Sequence, residues 1–285
     1  MQILRADAMG MCFGVRDALA ALAKVQDPTQ VTIHGELVHN GEVLSMLDRR
    51  GFRQSPEAAR SVPETPVVLV TAHGISQRER ERLANAGKTL LDTTCPLVQK
   101  AHAAAQELAA DGRRVVVVGR AEHVEVRGIV EDLDSAIVVG GLGDIATWPE
   151  RRLGVVCQTT TQVDTAETII EAIRTANPHA DVRTIDTICN PTKARVAALE
   201  ALLPRIDALV VVGGRDSNNT RQLVLRSEQC LVPTLHIESV RELRPEWFAT
   251  RRVVGLTAGT STLPRTIDAV HGWLLRLDEA LPRPA

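Results

Sequence analysis

The sequence has 285 residues, of which 44% are hydrophobic and 24% are charged, and its formal net charge is −2 at pH 7. These values are ordinary for a globular protein, and the near-neutral charge argues against a sequence-independent nucleic-acid binder. Because only 2% of the residues are aromatic, there is little surface on which bases could stack. No apolar stretch has the length of a membrane span, and the N-terminus has no signal-peptide pattern. We therefore expect a cytoplasmic protein with neither a nucleic-acid nor a membrane partner.

Three of the five cysteines share the same local sequence context. Each follows a short strand-like segment and precedes apolar residues at helical spacing, which predicts a strand, a corner and a helix. The cysteines are Cys12, Cys95 and Cys189, and the segments before them are Ile3–Ala6, Thr89–Asp92 and Arg183–Asp186. Packing does not require a thiol at the same corner three times, so we interpret these positions as functional.

A β-branched strand follows each of these cysteines at a nearly constant distance. The predicted strands begin 19, 20 and 19 residues after the cysteine, at Val31, Val115 and Ala208, and a second strand follows each of them. The second strands are Val67–Val70, Leu153–Val156 and Val253–Leu256. The repeat predicts an α/β protein of three similar domains, 1–94, 95–188 and 189–285, the last with a C-terminal tail. The alternation of strands and helices alone is equally compatible with one doubly wound sheet of roughly nine strands or more. The recurrence of a cysteine at the same strand-to-helix corner favours three domains.

Polar side chains follow the predicted strands at the ends where open α/β sheets bind ligands. His39, His73 and His123 lie in such loops, which also carry Ser, Thr, Asn and Gln. Together with the backbone N–H groups at the start of a helix, these side chains are suited to binding an anion. A single Ser or Asn at such a position is more often a helix cap, but three histidines at strand ends favour a binding site.

The three repeated cysteines lie where helices are predicted to begin, and a helix N-terminus favours the thiolate form that binds metals. Three thiolates could hold zinc with a histidine as fourth ligand, or a four-iron cluster with one iron left open. The residues alone leave both alternatives open. Cys157 and Cys230 fall outside the repeat, and we expect both to be buried, apolar packing residues. An odd number of cysteines in a cytoplasmic protein fits poorly with a disulfide framework.

Short motifs along the chain resemble those of the 4-hydroxy-3-methylbut-2-enyl diphosphate reductase family. No single motif is specific, but the set is highly specific because the motifs occur in order along essentially the whole chain. They are Gly10–Val15, Val38–Asn40, Ala72–Gly74, Asp92–Val98, His123–Glu125, Gln158–Thr160, Ile188–Cys189, Ser217–Asn219 and Thr257–Ser261.

The resemblance implies a pseudo-threefold trefoil of three α/β domains around a central cluster. The cluster would be [4Fe–4S], with one open iron and three cysteine ligands, Cys12, Cys95 and Cys189. The implied reaction is the last step of the non-mevalonate isoprenoid pathway. In that step 4-hydroxy-3-methylbut-2-enyl diphosphate is reductively dehydrated to isopentenyl and dimethylallyl diphosphate. Ferredoxin or flavodoxin would supply the electrons.

The resemblance also implies roles for individual side chains. Thr159 would contact the substrate, at its hydroxyl, and Glu125 would supply the proton. The diphosphate would be held by His39, His73, His123, Ser217, Asn218, Asn219 and Ser261. The residue types agree with this chemistry, because an open iron can act as a Lewis acid on the hydroxyl oxygen. A carboxylic acid can also donate a proton near neutral pH if burial raises its pKa.

Three positions depart from the family's usual motifs. Asn218 lies in a motif that usually reads Ser-Ser-Asn, Val124 lies in His-Pro-Glu in place of the proline, and Val196 replaces a glutamine after an arginine. One alternative is therefore a divergent relative that acts on a related allylic diphosphate. Two others are a zinc or cysteine hydrolase of phosphorylated substrates, which would be colourless and active in air, and a redox-sensing or anion-binding module without turnover.

Overall fold

The computed structural model describes residues 1–56 and 60–280, and this part of the chain alternates between strands and helices. Its first elements are β1 (Gln2–Arg5), α1 (Phe13–Ala23), β2 (Val31–His34), α2 (Gly41–Arg49), β3 (Arg53–Gln54), β4 (Val67–Val70), α3 (Gln77–Asn85), β5 (Thr89–Asp92) and α4 (Pro96–Ala110). Then come β6 (Arg114–Val118), α5 (Val124–Glu131), β7 (Ala136–Val139), β8 (Arg152–Cys157), α6 (Val163–Ala176) and β9 (Asp181–Thr184). The last are α7 (Asn190–Leu202), β10 (Ala208–Val212), α8 (Asn218–Gln229), β11 (Thr234–Ile237), α9 (Pro245–Phe248), β12 (Val253–Ala258) and α10 (Pro264–Ala280). Residues 281–285 of the predicted C-terminal tail lie outside the described residues.

The strands form three parallel four-stranded sheets with the same internal order. The orders are β3-β2-β4-β5, β7-β6-β8-β9 and β11-β10-β12-β1. The predicted α/β fold with three similar modules is confirmed, and the alternative of one doubly wound sheet is wrong. Within the described ranges, none of the helices combines the length and apolarity that crossing a membrane requires.

The strand before Cys12 belongs to a different sheet from the one predicted. β1 pairs with β12, with Gln2 opposite Val253 and Arg5 opposite Leu256. The N-terminal strand therefore completes the sheet formed by the end of the chain, whereas β5 and β9 take the same edge position in the other two sheets. The sequence repeat identified the strand correctly, but position along the chain could not reveal that its partner lies about 250 residues away.

Packing groups the chain into two compact units. The first unit comprises Met1–Phe13, His39–Val43 and Asn190–Ala285, and it holds the sheet that contains β1. The second unit comprises Gly14–Val38 and Leu44–Cys189, and it holds the other two sheets. The division into domains 1–94, 95–188 and 189–285 stays a prediction.

The central strands are buried on both faces, as their continuous β-branched sequences require. In β6, Val115 and Val117 pack into the core that includes Leu108 of α4, whereas Val116 and Val118 face the core beneath α6. All five residues of β10 are likewise inaccessible to solvent. Helices on both faces leave the carboxyl ends of the strands as the accessible edge of each sheet, which is where the polar loops lie.

The edge strands are where the predicted elements differ most from the structure. β3, β7 and β11 were not predicted, because short edge strands carry a weak hydrophobic pattern. β9 begins at Asp181 and ends at Thr184, two residues before the predicted segment at each end. In β7 the run Ala-Ile-Val-Val is a β-branched signal that could have identified the strand.

Candidate active site

The three repeated cysteines occupy equivalent corners, and each is fixed by the same backbone hydrogen bond. In every case the cysteine N–H donates to a carbonyl oxygen in the loop that follows the neighbouring strand. The three bonds run from Cys12 to Thr260 at 3.0 Å, from Cys95 to Ala72 at 3.0 Å, and from Cys189 to Thr159 at 2.9 Å. The predicted equivalence of the cysteines therefore extends to their backbone geometry, within the unit to which each belongs.

Parallel strand pairing explains these bonds. In the ladder between β4 and β5, Val70 lies opposite Asp92, and the next bond runs from the N–H of Thr93 to the carbonyl oxygen of Val70 at 3.0 Å. Because parallel ladders repeat every second residue, the following donor is the N–H of Cys95. The helix then begins at once, with Cys95 as the N-cap residue and Pro96 at its first position.

The other two cysteines differ from each other. Cys157 is 2% exposed and packs in the hydrophobic core beneath α6, which confirms the prediction for this residue. Cys230 is exposed at the end of α8, so its predicted burial is wrong. Cys230 follows Gln229, the last residue of α8, and the helical pattern did not reveal that it is exposed to solvent.

His73 and His123 lie together in the second unit. Each follows the central strand of a different sheet, and their ring centroids are 5.5 Å apart in an edge-to-face arrangement. His123 is the N-cap of α5, where its Nδ1 accepts a hydrogen bond from the N–H of Glu125 at 3.2 Å. In the neutral ring this leaves the proton on Nε2, so His123 carries a donor suited to an anion.

Glu125 and Thr159 form a buried pair in the second unit, and they are 1% and 4% exposed. The N–H of Thr159 donates to Oε1 of Glu125 at 2.6 Å, and the Thr159 hydroxyl lies 2.9 Å from Oε2. Burial raises the pKa of Glu125 to about 7, although the two hydrogen bonds from Thr159 oppose the rise. The sequence located both residues, and the structure brings them together.

Gln158 holds the loop that carries Thr159, and it was not among the predicted site residues. Its side chain is inaccessible to solvent. Its Nε2 donates to the hydroxyl of Thr160 at 3.2 Å, and its Oε1 accepts from the N–H of Arg120 at 3.2 Å. A Cβ atom on Gly119 would lie 2.7 Å from the Cβ of Gln158, so this close approach requires glycine. The motif Gln158–Thr160 was the available signal for this role.

The remaining predicted residues lie in the first unit. Ser217 is the N-cap of α8, and Asn218 and Asn219 form the first turn of that helix, buried at 6% and 1% exposure. Oδ1 of Asn219 accepts from the N–H of Thr260 at 3.0 Å, whereas its Nδ2 is buried without a hydrogen-bond partner. A buried amide donor is rarely left unsatisfied, so Nδ2 of Asn219 is suited to an anionic ligand at this helix N-terminus.

Ser261 and His39 also meet in the first unit, where the Ser261 hydroxyl donates to the carbonyl oxygen of His39 at 3.5 Å. Asn40 joins the same loops and was missed as a site residue. Its Nδ2 donates to the carbonyl oxygen of Ser261 at 3.1 Å, and its Oδ1 accepts from the N–H groups at the start of α2. The motif Val38–Asn40 contained this residue but gave no indication of its partner.

His34, the last residue of β2, takes part in the fold. Its ring is inaccessible to solvent, and its Nε2 lies 2.7 Å from Oε1 of Glu79. Burial lowers the pKa of His34, although the hydrogen bond to Glu79 opposes that shift.

The fold and the site define an α/β enzyme with a buried carboxylic acid and with polar loops that are suited to binding an anion. Comparison with known proteins identifies its family. The family model described as LytB protein matches residues 3–275. The 4-hydroxy-3-methylbut-2-enyl diphosphate reductase of Anaeromyxobacter sp. (strain Fw109-5) is 36% identical over 277 residues, which is 96% of this chain and 97% of the relative. The chain therefore belongs to the LytB family, whose members are iron–sulfur reductases. The family predicted from the motifs is confirmed, and with it the enzyme class, an oxidoreductase.

Solved structures agree with this assignment. The E-1-hydroxy-2-methyl-but-2-enyl-4-diphosphate reductase from Plasmodium falciparum has a TM-score of 0.88 and 26% identity, with 96% of this chain and 87% of that chain covered. A second reductase structure, of the terminal enzyme of the non-mevalonate pathway, has a TM-score of 0.69 and 32% identity. That comparison covers 97% of this chain and all of the other.

Burial of Glu125 should make folding stability depend on pH. Folding raises the pKa of this carboxyl from 4.5 to about 7, so the protonated group stabilises the folded state fully below pH 4.5. This contribution, roughly 3 kcal/mol, is lost as the pH rises through 7. We expect Glu125→Gln to become progressively more stable relative to the parent between about pH 5 and about pH 8, measured by urea unfolding.

The matched control is Glu122→Gln, which changes an exposed carboxyl in the loop just before α5. It should keep the pH dependence of the parent chain. A difference between Glu125→Gln and the parent that stays constant across this range would contradict the burial of an ionisable group at Glu125.

Proposed function

We propose that this chain catalyses the reductive dehydration of 4-hydroxy-3-methylbut-2-enyl diphosphate to isopentenyl and dimethylallyl diphosphate. Membership of the LytB family supports the proposal. The single observation that carries the catalytic assignment is the buried pair of Glu125 and Thr159, because a carboxyl with a pKa of about 7 can both hold and release a proton at neutral pH. The three departures from the family's usual motifs, at Val124, Val196 and Asn218, do not alter this pair.

In this proposal Cys12, Cys95 and Cys189 hold a [4Fe–4S] cluster with one open iron. The equivalent backbone bonds at the three corners support the assignment, since ligands of one symmetric group need equivalent presentation. A Cβ atom on Gly14 would lie 2.6 Å from Sγ of Cys95, so this close approach of the backbone to the sulfur requires glycine.

The substrate diphosphate is assigned to His39, His73, His123, Ser217, Asn218, Asn219 and Ser261. Three observations support this set. Nδ2 of Asn219 is buried without a partner, Nδ1 of His123 accepts a backbone hydrogen bond that leaves Nε2 as the donor of the neutral ring, and Ser217 lies at the N-terminus of α8. Donors of this kind, with a helix N-terminus, bind phosphate groups. Binding at the diphosphate end would orient the allylic alcohol for reaction, since energy from the remote end of a substrate can be used for positioning.

The reaction consumes two electrons and two protons. The carbon–oxygen bond breaks, one proton leaves with the hydroxyl oxygen as water, and the other forms a new carbon–hydrogen bond. When bound, the cluster would supply electrons and a Lewis-acidic iron. Glu125 would deliver a proton through Thr159. The protonated carboxyl donates from Oε2 to the Thr159 hydroxyl, which passes its own proton to the departing substrate oxygen. The bond from the Thr159 N–H to Oε1 keeps the carboxyl in place after it becomes charged.

We assign the supply of electrons to a ferredoxin or a flavodoxin, because a cluster that accepts electrons singly suits a one-electron donor protein. We also assign the enzyme to the cytoplasm, because three cysteines that are kept as thiolate ligands require a reducing compartment.

Cysteine replacement tests the ligand set. We expect Cys12→Ser, Cys95→Ser and Cys189→Ser each to lose most iron and sulfide and to bleach the anaerobically purified protein, because serine is a poor cluster ligand. Iron, sulfide and zinc analysis together with the visible spectrum measures this. Cys230→Ser is the matched control, since Cys230 is exposed and outside the repeat. A Cys12→Ser variant with parental iron and sulfide would remove Cys12 from the ligand set, and zinc in place of iron would favour a hydrolase.

Replacement of the acid tests the proton transfer. We expect Glu125→Gln to keep the cluster spectrum and substrate affinity but to lower kcat by about 100-fold to 10,000-fold, the usual range for a lost general acid. Anaerobic turnover with a chemical reductant gives kcat and KM separately. Glu122→Gln should turn over like the parent. Normal turnover by Glu125→Gln would show that another group delivers the proton.

A further inference from the structure

The threefold repeat is broken at one buried position. Six residues after the three cysteines come Ala18, Ala101 and Arg195, which are 1%, 0% and 6% exposed. Each lies in the helix that follows its cysteine. Because alanine suffices at this position in two modules, packing of the helix against its sheet does not require a guanidinium group. A buried cation is costly unless its donors are satisfied, so Arg195 must have a task that the other two modules do not need.

Arg195 binds backbone carbonyl groups near two of the cysteines. Its Nε donates to the carbonyl oxygen of Gly10 at 3.1 Å, and its Nη2 donates to the same oxygen. Its Nη1 donates to the carbonyl oxygen of Pro191 at 2.8 Å. Gly10 precedes Cys12 by two residues, and Pro191 follows Cys189 by two residues. The guanidinium therefore ties the loop that leads into Cys12 to the first turn of α7.

The other two modules fasten the equivalent loop in a different way. The residue two positions before Cys95 is Thr93, whose hydroxyl donates to the carbonyl oxygen of Val70 at 2.6 Å. The residue two positions before Cys189 is Thr187, whose hydroxyl donates to the carbonyl oxygen of Cys157 at 2.5 Å. Each of these loops is thus held to its neighbouring strand by its own side chain.

Gly10 takes the place of these threonines and has no side chain to donate. Its φ is +72°, a left-handed conformation that a β-branched residue such as threonine strongly disfavours. A Cβ atom there would also lie 2.5 Å from Cδ1 of Ile267. The side-chain hydrogen bond of the other two modules is therefore excluded before Cys12, and Arg195 supplies an anchor from outside the loop.

We propose that Arg195 is a positioning residue that fixes the Cys12 loop and so holds the Cys12 thiolate in place for the cluster. This inference rests on the proposed function for the cluster, but the anchoring of the loop can be tested without it. If Arg195 fixes the loop, its loss should free the N–H of Cys12, which donates to Thr260, and should weaken one corner of the cluster site.

The test uses the full chain and the variants Arg195→Met, Arg195→Lys and Arg113→Met. Arg113→Met is the matched control, because the Arg113 side chain is 7% exposed and also donates to backbone carbonyl groups, but lies far in sequence from any of the three cysteines. In the metal-free chain, hydrogen exchange of the Cys12 backbone N–H should be about tenfold faster in Arg195→Met than in the parent. This is the size of effect expected when a charged hydrogen-bond donor is lost. Exchange should stay at the parental rate in Arg113→Met and be partly restored in Arg195→Lys.

In the reconstituted protein, the rate of iron loss to a chelator gives the second measurement. Arg195→Met should release iron about tenfold faster than the parent, with Arg195→Lys between the two and Arg113→Met unchanged. Parental exchange at Cys12 in both Arg195 variants would overturn the proposal. If Arg195→Met does not fold, Arg195→Lys decides by the same two measurements. Absence of iron from the parent chain would instead contradict the proposed function, while the exchange result would still decide the role of Arg195.

Discussion

The structure depends on one parallel hydrogen-bond ladder in each sheet, which continues beyond the end of the edge strand β1, β5 or β9. The last bond of each of these three ladders is donated by a cysteine N–H, so the position of the thiol is set by sheet pairing and not by a flexible loop. The accepting residues are Ala72, Thr159 and Thr260, which lie in or next to the loops of the proposed substrate site. Strand pairing thereby fixes the cysteines and the substrate-binding loops in one step.

Burial then determines what the site can do chemically. Glu125 would be an ordinary anion on the surface, but inside the second unit desolvation outweighs two hydrogen bonds and its pKa rises to about 7. In the first unit, Asn219 is 1% exposed, and burial leaves its Nδ2 without a hydrogen-bond partner. A neutral carboxyl can donate a proton and an unpaired amide can donate a hydrogen bond, so both groups are suited to a bound substrate.

Much of the site could be predicted from the sequence because its signals are local. A strand, a cysteine and a helix recur three times, and the polar loops follow β-branched strands. The pairing of β1 with β12 and the burial of Cys157 in contrast to the exposure of Cys230 are long-range properties without a local pattern. Gln158, Asn40 and Arg195 were missed as supporting residues for the same reason, since their roles depend on the partners that the fold supplies.

The central claim is that three cysteine thiolates hold one cluster and leave a single iron for substrate. Mössbauer spectroscopy of the full chain, purified without oxygen and enriched in 57Fe, tests this most directly. We expect about four iron atoms per chain, of which about one gives a distinct signal that alone shifts when the allylic diphosphate is added. Iron sites that are all equivalent and unresponsive to the diphosphate, or a chain that carries zinc and no iron, would contradict it.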